Sequence, residues 1–426
     1  MNYYSLHHNA PKVSFQEAVI RGLAPDRGIY FPENITPLSE DFIENISDYS
    51  HEEIAFEAIQ QFIGDDIPKS ILKEIIAETL SFDFPIVPIE ENIGTLELFH
   101  GPTMAFKDVG ARFMARCLGY FNRDKDESVT VLVATSGDTG GAVANGFLGV
   151  KGVDVVILYP SGKVSEVQEK QLTTLGQNIT ALEVDGVFDD CQEMVKTAFL
   201  DAEIERTLTS ANSINIARWL PQMFYFFFAY KAMHKKNKNL VFSVPSGNFG
   251  NICAGIMAQK LGLPIQHFIA ATNVNDTVSN YLEAGVYAPK KSIATISNAM
   301  DVGNPSNFIR IQELYDNDLA TIKKHFSSYS FSDAETKIAM KSLYDKAKYI
   351  ADPHGAVGYL GLKNYDLKDA YGIFLETAHP VKFLPTVEST LSRKIAIPEQ
   401  IQQIMHKEKK AHFITDYEGL KKFLME

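Results

Sequence analysis

The sequence predicts an α/β protein whose parallel sheets are covered by helices on both faces. From about residue 95 onward, short runs rich in β-branched residues alternate with segments of helical periodicity. Two glycine-containing loops each follow such a run and lead directly into a helix. Because ligands of open parallel sheets bind beyond the carboxyl ends of the strands, we expect these loops to carry the function.

Composition narrows the class of protein. The chain has 426 residues, 45% hydrophobic and 22% charged, which is typical of two or three globular domains and excludes a disordered, collagen-like or coiled-coil chain. A formal net charge of −13 argues against nucleic-acid and anionic-membrane partners. Three scattered cysteines, no leader-like start and no apolar run of about 20 residues predict a cytoplasmic enzyme without a disulfide framework.

The elements are predicted in chain order as follows. Residues 1–90 are expected to be mostly helical, with helices at 14–21 and 51–62 and a proline-bounded linker at 83–88. Later strands are predicted at 95–99, 129–134, 154–160, 179–184, 240–244, 268–271 and 372–376. Helices are predicted at 105–120, 142–148, 164–175 with Ser161 as its cap, 191–200 and 252–261, and a surface helix at 398–426.

The first loop of interest is Val244-Pro-Ser-Gly-Asn-Phe-Gly-Asn-Ile. Its glycines allow the backbone to wrap closely around an anion at a helix N-terminus, and Ser246, Asn248 and Asn251 add polar side chains. The pattern predicts a phosphate cradle, with a plain strand-to-helix turn as the alternative. It lacks the GKS or GKT ending of nucleotide loops and the GxGxxG dinucleotide fingerprint.

The second loop is Ala134-Thr-Ser-Gly-Asp-Thr-Gly-Gly-Ala, which also opens a helix. The hydroxyls of Thr135, Ser136 and Thr139 are suited to a carboxylate or phosphate. Asp138 either accepts a hydrogen bond from the ligand or caps the helix. The loop therefore predicts a second anion-binding position, with capping alone as the alternative.

Single residues elsewhere have both bland and functional interpretations. Lys107 falls in the first turn of the helix predicted at 105–120, as a solvated lysine or as an amine suited to imine formation. Asn212 and Arg218 either converge on an anion or serve only surface pairing. Thr377 supplies a hydroxyl at a strand end, and the turn at 352–358 is predicted to be architectural. No HExxH or GxSxG motif is present, so no metal site or serine hydrolase is predicted.

Together these segments resemble the longer class of threonine synthases, which are pyridoxal-phosphate (PLP) enzymes of fold type II, like the tryptophan synthase β chain. The resemblance runs from the opening Tyr-Ser-Leu-His-His-Asn to Thr-Ala-His-Pro-Val-Lys-Phe at 377–383. Its most specific pieces are His-Gly-Pro-Thr-Met-Ala-Phe-Lys-Asp at 100–108, Ser-Gly-Asp-Thr-Gly at 136–140 and Pro-Ser-Gly-Asn-Phe-Gly-Asn at 245–251.

The resemblance implies a role for each site residue. Lys107 is the catalytic lysine that bonds to PLP, and Thr377 faces the pyridine nitrogen. The residues implied to hold the cofactor's phosphate are Ser246, Gly247, Asn248, Phe249, Gly250 and Asn251. Those implied to bind substrate are Thr135, Ser136, Asp138, Thr139, Asn212 and Arg218. Many fold type II relatives have asparagine where this chain has Asp138, so the role of this carboxylate stays open.

The implied reaction is that of a lyase: O-phospho-L-homoserine and water give L-threonine and phosphate, the last step of threonine biosynthesis. A threonine or serine dehydratase-like enzyme and a catalytically idle relative are the alternatives. A nucleotide-binding enzyme is a third, weakened by the missing GKS/GKT and GxGxxG patterns. The implied layout is an N-terminal helical domain at 1–90, a large PLP domain at 91–125 and 230–400, a smaller substrate-side domain at 126–229 and a helical tail at 401–426. We expect a cytoplasmic monomer or weak homo-oligomer.

Overall fold

A computed structural model describes residues 1–135, 137–236 and 238–426, which form two compact units. The first unit comprises Met1–Pro32, Lys107–Arg218 and Ala396–Glu426. The second unit comprises Glu33–Phe106 and Trp219–Ile395. Each unit contains its own largely parallel sheet. The four domain ranges predicted from the sequence stay a prediction.

The regular elements alternate along most of the chain. Within the described residues, the strands are β1 (Tyr3–Ser5), β2 (Tyr30–Pro32), β3 (Ile86–Glu90), β4 (Ile93–Glu97), β5 (Val129–Ala134), β6 (Val153–Pro160), β7 (Ile179–Val184), β8 (Thr207–Ser210), β9 (Asn239–Pro245), β10 (Ile265–Thr272), β11 (Phe326–Ser330), β12 (Ala370–Glu376) and β13 (His412–Ile414). The α-helices of the same residues are α1 (Phe15–Arg21), α2 (Glu40–Glu44), α3 (His51–Ile63), α4 (Lys69–Thr79), α5 (Lys107–Asn122), α6 (Asp138–Phe147), α7 (Glu166–Thr173), α8 (Phe188–Ala198), α9 (Ile216–Trp219), α10 (Phe224–Met233), α11 (Gly250–Lys260), α12 (Thr277–Ala284), α13 (Phe308–Leu314), α14 (Leu319–His325), α15 (Asp333–Ala347), α16 (Pro353–Lys363), α17 (Leu384–Leu391), α18 (Glu399–Met405) and α19 (Tyr417–Met425).

Six strands of the second unit form one sheet in the order β11-β10-β9-β12-β4-β3. All neighbours are parallel except β3 and β4. Every residue of β12 is buried, as expected for a central strand covered on both faces. Glu376 pairs with Glu97 and Phe374 pairs with Ser243, so β12, β4 and β9 end at the same edge of the sheet.

Five strands of the first unit form a fully parallel sheet in the order β13-β7-β6-β5-β8. All six residues of β5 are buried between β6 and β8. Leu132 of β5 pairs with Ser210 of β8. The segments that follow these two strands therefore leave the sheet at the same edge, where a parallel α/β sheet binds its ligands.

Helix α3 shows how local sequence specifies a helix. It begins at a capping box, in which Ser50 Oγ accepts from the Glu53 N–H (3.1 Å) and the Glu53 carboxylate accepts from the Ser50 N–H (2.7 Å). Its apolar stripe packs into the core and is fully buried at Ile54, Ala55, Ala58, Ile59 and Phe62. The predicted helix at 51–62 is therefore confirmed, with one further residue at its end.

The predicted linker at 83–88 and the predicted cap at Ser161 are wrong. The segment at 83–88 is not merely a linker, because β3 begins at Ile86 and pairs antiparallel with β4. Its Pro88 is tolerated because β3 is the edge strand of its sheet. Ser161 does not cap α7: its hydroxyl donates to a Glu183 carboxylate oxygen (2.7 Å), and Ser165 caps the helix instead. A serine close to a helix start takes whichever partner the fold brings within reach.

Both ends of the chain contain more strand than predicted. Near the start, β1 and β2 form a small antiparallel sheet beside the predicted helices. The stretch 398–426 is not one surface helix, because β13 separates α18 from α19 and pairs with β7. These short strands exist through pairing with distant segments, which a local pattern does not reveal.

Among the described residues, every helix is too short or too polar to cross a membrane.

Candidate functional site

The loop after β9 carries a helix N-terminus suited to an anion. Ser246 turns the chain: its N–H donates to the Ala271 carbonyl (2.9 Å) and its hydroxyl to the Val244 carbonyl (2.8 Å). Phe249 adopts left-handed backbone, with φ at 60°, immediately before α11 begins at Gly250. The first N–H groups of this 11-residue helix lack intrahelical acceptors and carry the positive end of its dipole.

Two further features of this turn bear on its suitability for an anion. Asn251 is only 6% exposed, and neither its Nδ2 nor its Oδ1 has a hydrogen-bond partner among the described residues. An unsatisfied buried polar group costs about 1–3 kcal/mol, so this amide is suited to bind a polar group of a ligand or a water molecule. A Cβ at Gly247 would lie 2.7 Å from Met300 Cα and 2.8 Å from the Ala299 carbonyl oxygen, so glycine alone permits this close approach.

Asn248 anchors the same loop to the segment that precedes α13. Its Oδ1 accepts from the Ser306 N–H (2.5 Å), and its carbonyl accepts from the N–H (3.3 Å) and Nδ2 (3.1 Å) of Asn307. The Phe249 ring packs edge-on against Phe308, with 5.8 Å between ring centroids. The Asn248 side-chain oxygen is therefore used within the protein, and the loop is held from one side before any ligand binds.

Thr377 follows β12 directly and is 6% exposed. Its carbonyl accepts from the Phe106 N–H (2.9 Å), and Ala378 forms an antiparallel bridge with Ala105. Lys107 is the next residue after Phe106, begins α5 and is half-buried. The helix starts two residues later than the predicted 105–120, because the preceding residues pair with the segment that follows β12. These bonds hold the chain just before Lys107 at the end of β12.

The first unit carries the loop between β5 and α6. Thr135 is 1% exposed, and its hydroxyl accepts from the N–H groups of Gly137 (3.0 Å) and Gly140 (2.9 Å). This side chain therefore shapes the loop and satisfies the start of α6. Ser136, which is predicted to bind substrate, lies outside the described residues.

Asp138 is the first residue of α6 and is 6% exposed. Its Oδ1 accepts from Gln168 Nε2 at 3.0 Å. Gln168 is a residue that sequence reasoning misses, because it lies on α7 and reaches the loop only through the fold. Thr139 is half-buried in the first turn of α6. The Asp138 carboxylate is thus held in a defined orientation.

Asn212 and Arg218 lie in the segment that follows β8, in the same unit. Arg218 is 3% exposed, and its Nη1 donates to the carbonyl of Ala211, the residue before Asn212 (2.5 Å). A Cβ at Gly110 would lie 2.6 Å from the Arg218 carbonyl oxygen, so α5 packs tightly against this arginine. The structure therefore buries the Arg218 guanidinium and orients it at the residue before Asn212.

A buried cluster beside β12 is also missed by sequence reasoning, which treats 352–358 as architectural. The Asp352 N–H donates to Glu376 Oε1 (2.6 Å), and Asp352 Oδ2 lies 2.6 Å from His354 Nδ1. His354 Nε2 lies 3.2 Å from the Ala299 nitrogen. The three residues are at most 2% exposed. The one local signal is Asp before Pro, which marks a helix start but no contact with distant residues.

Burial controls the titratable groups around the end of β12. Burial and the nearby Asp352 carboxylate raise the pKa of Glu376 well above its ordinary value, so this carboxyl favours the protonated form. Burial lowers the pKa of His379 to about 4, so this ring, two residues after Thr377, is neutral at pH 7.

Among the described residues, no group of three or more His, Cys, Asp or Glu is arranged to hold a metal ion.

Known proteins place the chain in a family. A family model described as pyridoxal-phosphate dependent enzyme matches residues 95–372. This span includes the lysine and both glycine loops, and with the two parallel sheets it defines a PLP-dependent enzyme of fold type II. The chain is 45% identical over 431 residues to the threonine synthase of Buchnera aphidicola subsp. Baizongia pistaciae, with 100% of both chains covered. The chain belongs to the threonine synthase family.

Other comparisons agree over the same length. The Escherichia coli threonine synthase is 43% identical over 429 residues, covering 100% of this chain and 99% of that protein. Its crystal structure superposes with a TM-score of 0.94, and a PLP-bound threonine synthase from Brucella melitensis, 34% identical, also reaches 0.94, covering 100% of this chain and 98% of that one. Models of the threonine synthase N terminus and C-terminal region match residues 2–80 and 355–424. The predicted family, fold and cofactor are confirmed.

Proposed function

We propose that this chain converts O-phospho-L-homoserine and water into L-threonine and phosphate, as the last step of threonine biosynthesis. The observation that carries the proposal is the full-length identity of 45% and 43% to threonine synthases. The geometry supports it, because the reaction needs two anion positions, one for the cofactor's phosphate and one for the substrate's. Each unit has a polar, glycine-containing loop that opens a helix after a parallel strand.

The cofactor's phosphate is assigned to the loop between β9 and α11. The fit of this loop is supported by the backbone approach at Gly247, by the buried amide of Asn251, which has no partner among the described residues, and by the N–H groups at the start of α11. The residues proposed to hold PLP here are Ser246, Gly247, Asn248, Phe249, Gly250 and Asn251.

Lys107 is the proposed catalytic residue. Its side-chain amine would hold the cofactor, and its Nζ would take the proton from the substrate Cα and return a proton later. PLP, when bound, draws electrons from the substrate Cα and so makes its proton easier to remove. Thr377 is proposed to face the pyridine nitrogen. Its neutral hydroxyl would not force that nitrogen to stay protonated, unlike a carboxylate.

The substrate's anionic groups are assigned to the first unit. Arg218 is suited to phosphate because a buried guanidinium, already oriented by the Ala211 carbonyl, loses little freedom on binding. Thr135 is proposed to act by shaping the loop, since its hydroxyl is bonded to backbone N–H groups. The full set proposed to bind substrate is Thr135, Ser136, Asp138, Thr139, Asn212 and Arg218.

We further propose that the chain acts in the cytoplasm on a small molecule, as a monomer or weak homo-oligomer without nucleic-acid or membrane partners. Its net charge of −13 supports the absence of polyanionic partners. Its three cysteines are buried free thiols, which supports a reducing compartment. Light scattering during size-exclusion chromatography would measure the oligomeric state.

The test begins with the visible absorption band of the purified protein and its loss on borohydride reduction. Peptide mass analysis is expected to find a pyridoxyl group on Lys107, and O-phospho-L-homoserine is expected to release phosphate. Lys107→Ala should abolish both, whereas Lys125→Ala, at an exposed lysine beyond the end of α5, should change neither. Keto-acid release from L-threonine without phosphate release from O-phospho-L-homoserine would favour a dehydratase. No reaction would favour an idle relative. Full turnover by Lys107→Ala would contradict the assignment of Lys107 as the catalytic residue.

A further inference from the structure

The His354 ring has one tautomer that suits its neighbours. The Ala299 N–H can only donate, so His354 Nε2 must accept and carries no proton. The proton therefore lies on Nδ1, which donates to Asp352. This assignment follows from the hydrogen-bond pattern. Asp352 is itself held in place, because its Oδ1 accepts from the Gly355 N–H (2.7 Å) and caps α16.

Ala299 is the point at which this chain of bonds reaches the phosphate loop. Its carbonyl oxygen and the Cα of Met300 form the surface that a Cβ at Gly247 would strike. Residues 298–300 form only a single 3-10 turn, which has little internal support of its own. The His354 bond to the Ala299 N–H therefore stabilises the backbone surface at residues 299–300 against which the loop packs.

We propose that His354 is a positioning residue for the cofactor's phosphate, acting through Ala299 on Gly247, with Asp352 holding the ring in the required tautomer. This inference rests on the proposed function and adds a residue to its cofactor site. If the backbone at residues 299–300 becomes less ordered, a smaller fraction of cofactor-free molecules holds the phosphate loop in its binding conformation. The apparent affinity for PLP falls in proportion to that fraction.

Isosteric variants separate the two ring nitrogens. His354→Gln places an amide oxygen near the Nε2 position, where it still accepts from Ala299. His354→Asn places its amide nearer Asp352 and leaves the Ala299 N–H without this acceptor. Both lose the ring contact with Phe383, whose centroid lies 4.9 Å away, so this contact does not distinguish them.

Asp352→Asn tests the tautomer without removing the ring. Asparagine caps helices about as well as aspartate, so α16 keeps its cap. With its amide oxygen bonded to Gly355, the variant turns an N–H towards His354 Nδ1, which then has to accept. The ring proton then lies on Nε2. This N–H and the Ala299 N–H are both donors, so the hydrogen bond between them is lost. This variant is therefore expected to behave like His354→Asn.

The experiment titrates the cofactor-free protein with PLP and, separately, with pyridoxal, which lacks the phosphate. Thermal unfolding of each cofactor-free variant is recorded beside the titrations. His354→Asn and Asp352→Asn are expected to bind PLP about tenfold more weakly, and His354→Gln within about threefold of the wild type. Pyridoxal affinity should be the same in all. The control is His267→Asn, at a buried histidine bonded to Ser327 near the start of β10, and it should bind PLP normally.

Three results would overturn the inference: wild-type PLP affinity in His354→Asn, an equal loss in His354→Gln and His354→Asn, or an equal loss of pyridoxal affinity. If His354→Asn does not fold, the comparison of Asp352→Asn with His354→Gln decides in the same way. A wild-type protein that takes up no PLP would overturn the proposed function together with the inference. Failure confined to the variants would overturn the inference alone.

Discussion

Replacing Gly247 by alanine tests whether the phosphate loop depends on close backbone contact. The added Cβ would lie 2.7 Å from Met300 Cα and 2.8 Å from the Ala299 carbonyl oxygen, whereas ordinary contacts begin at 3.4 Å. The loop must therefore shift by about 0.7 Å, because neither opposing backbone atom can rotate away. An extra methyl group in a packed site costs about 1–3 kcal/mol. If that cost falls on cofactor binding, PLP affinity drops by about 5- to 150-fold.

The assay is a titration of cofactor-free protein with PLP, followed by visible absorption. Gly255→Ala is the matched control in the second turn of α11. Its Cβ would lie 2.7 Å from the rings of Phe226 and Phe268, so it crowds the core without touching the loop. This control is expected to change the melting temperature but not PLP affinity. Normal PLP affinity in Gly247→Ala, or an equal loss in both variants, would refute the reasoning.

Three further predictions concern single polar side chains. Asn251→Ala is expected to weaken PLP binding by about tenfold without lowering the melting temperature of the cofactor-free protein, because neither amide atom has a partner among the described residues. A lower melting temperature in that form would instead indicate a structural role. The wild type is expected to lose stability as the pH rises above about 4.5, because folded Glu376 keeps a proton that the unfolded chain releases. Glu376→Gln is expected to remove this loss of stability. Urea unfolding at about pH 4 and about pH 8 measures this effect, and the same pH dependence in both proteins would rule it out. Arg218→Lys is expected to raise the KM for O-phospho-L-homoserine by about tenfold with an unchanged cofactor band, since lysine cannot make the forked contact; an unchanged KM would count against the substrate assignment.

Local pattern predicts elements well where local physics decides them. β5 and β7 have the predicted bounds, and β5 is the continuous run of apolar and β-branched residues that is typical of buried parallel strands. The helix predicted at 14–21 is α1 at Phe15–Arg21, and Ser14 caps it by accepting from the Glu17 N–H. Local pattern fails at Ser161, whose partner Glu183 is 22 residues away. It also fails at β3 and β13, which form by pairing at sheet edges.

The candidate site divides in the same way. That loops 135–139 and 246–251 follow strands and open helices is visible in the sequence, because glycine, serine and asparagine mark such turns. The hydrogen bonds from distant residues that hold these loops in place are not visible in the sequence. Asn307 reaches Asn248 across 59 residues, and Gln168 reaches Asp138 across 30. These partners follow no periodicity, since they depend on which elements pack together.

The sequence by itself determined the α/β alternation, the order of the anion-suited loops and the family, because these depend on residues close together in the chain. Only the tertiary structure decided that β9 and β12 are neighbours, so that the phosphate loop and Thr377 follow strands ending at one edge. It alone decided that the amide of Asn251 is buried with no partner in the part of the chain that the structure describes, and that His354 reaches Ala299. Burial and long-range pairing arise from packing between distant segments, and the cost of a buried polar group exists only once that packing excludes water.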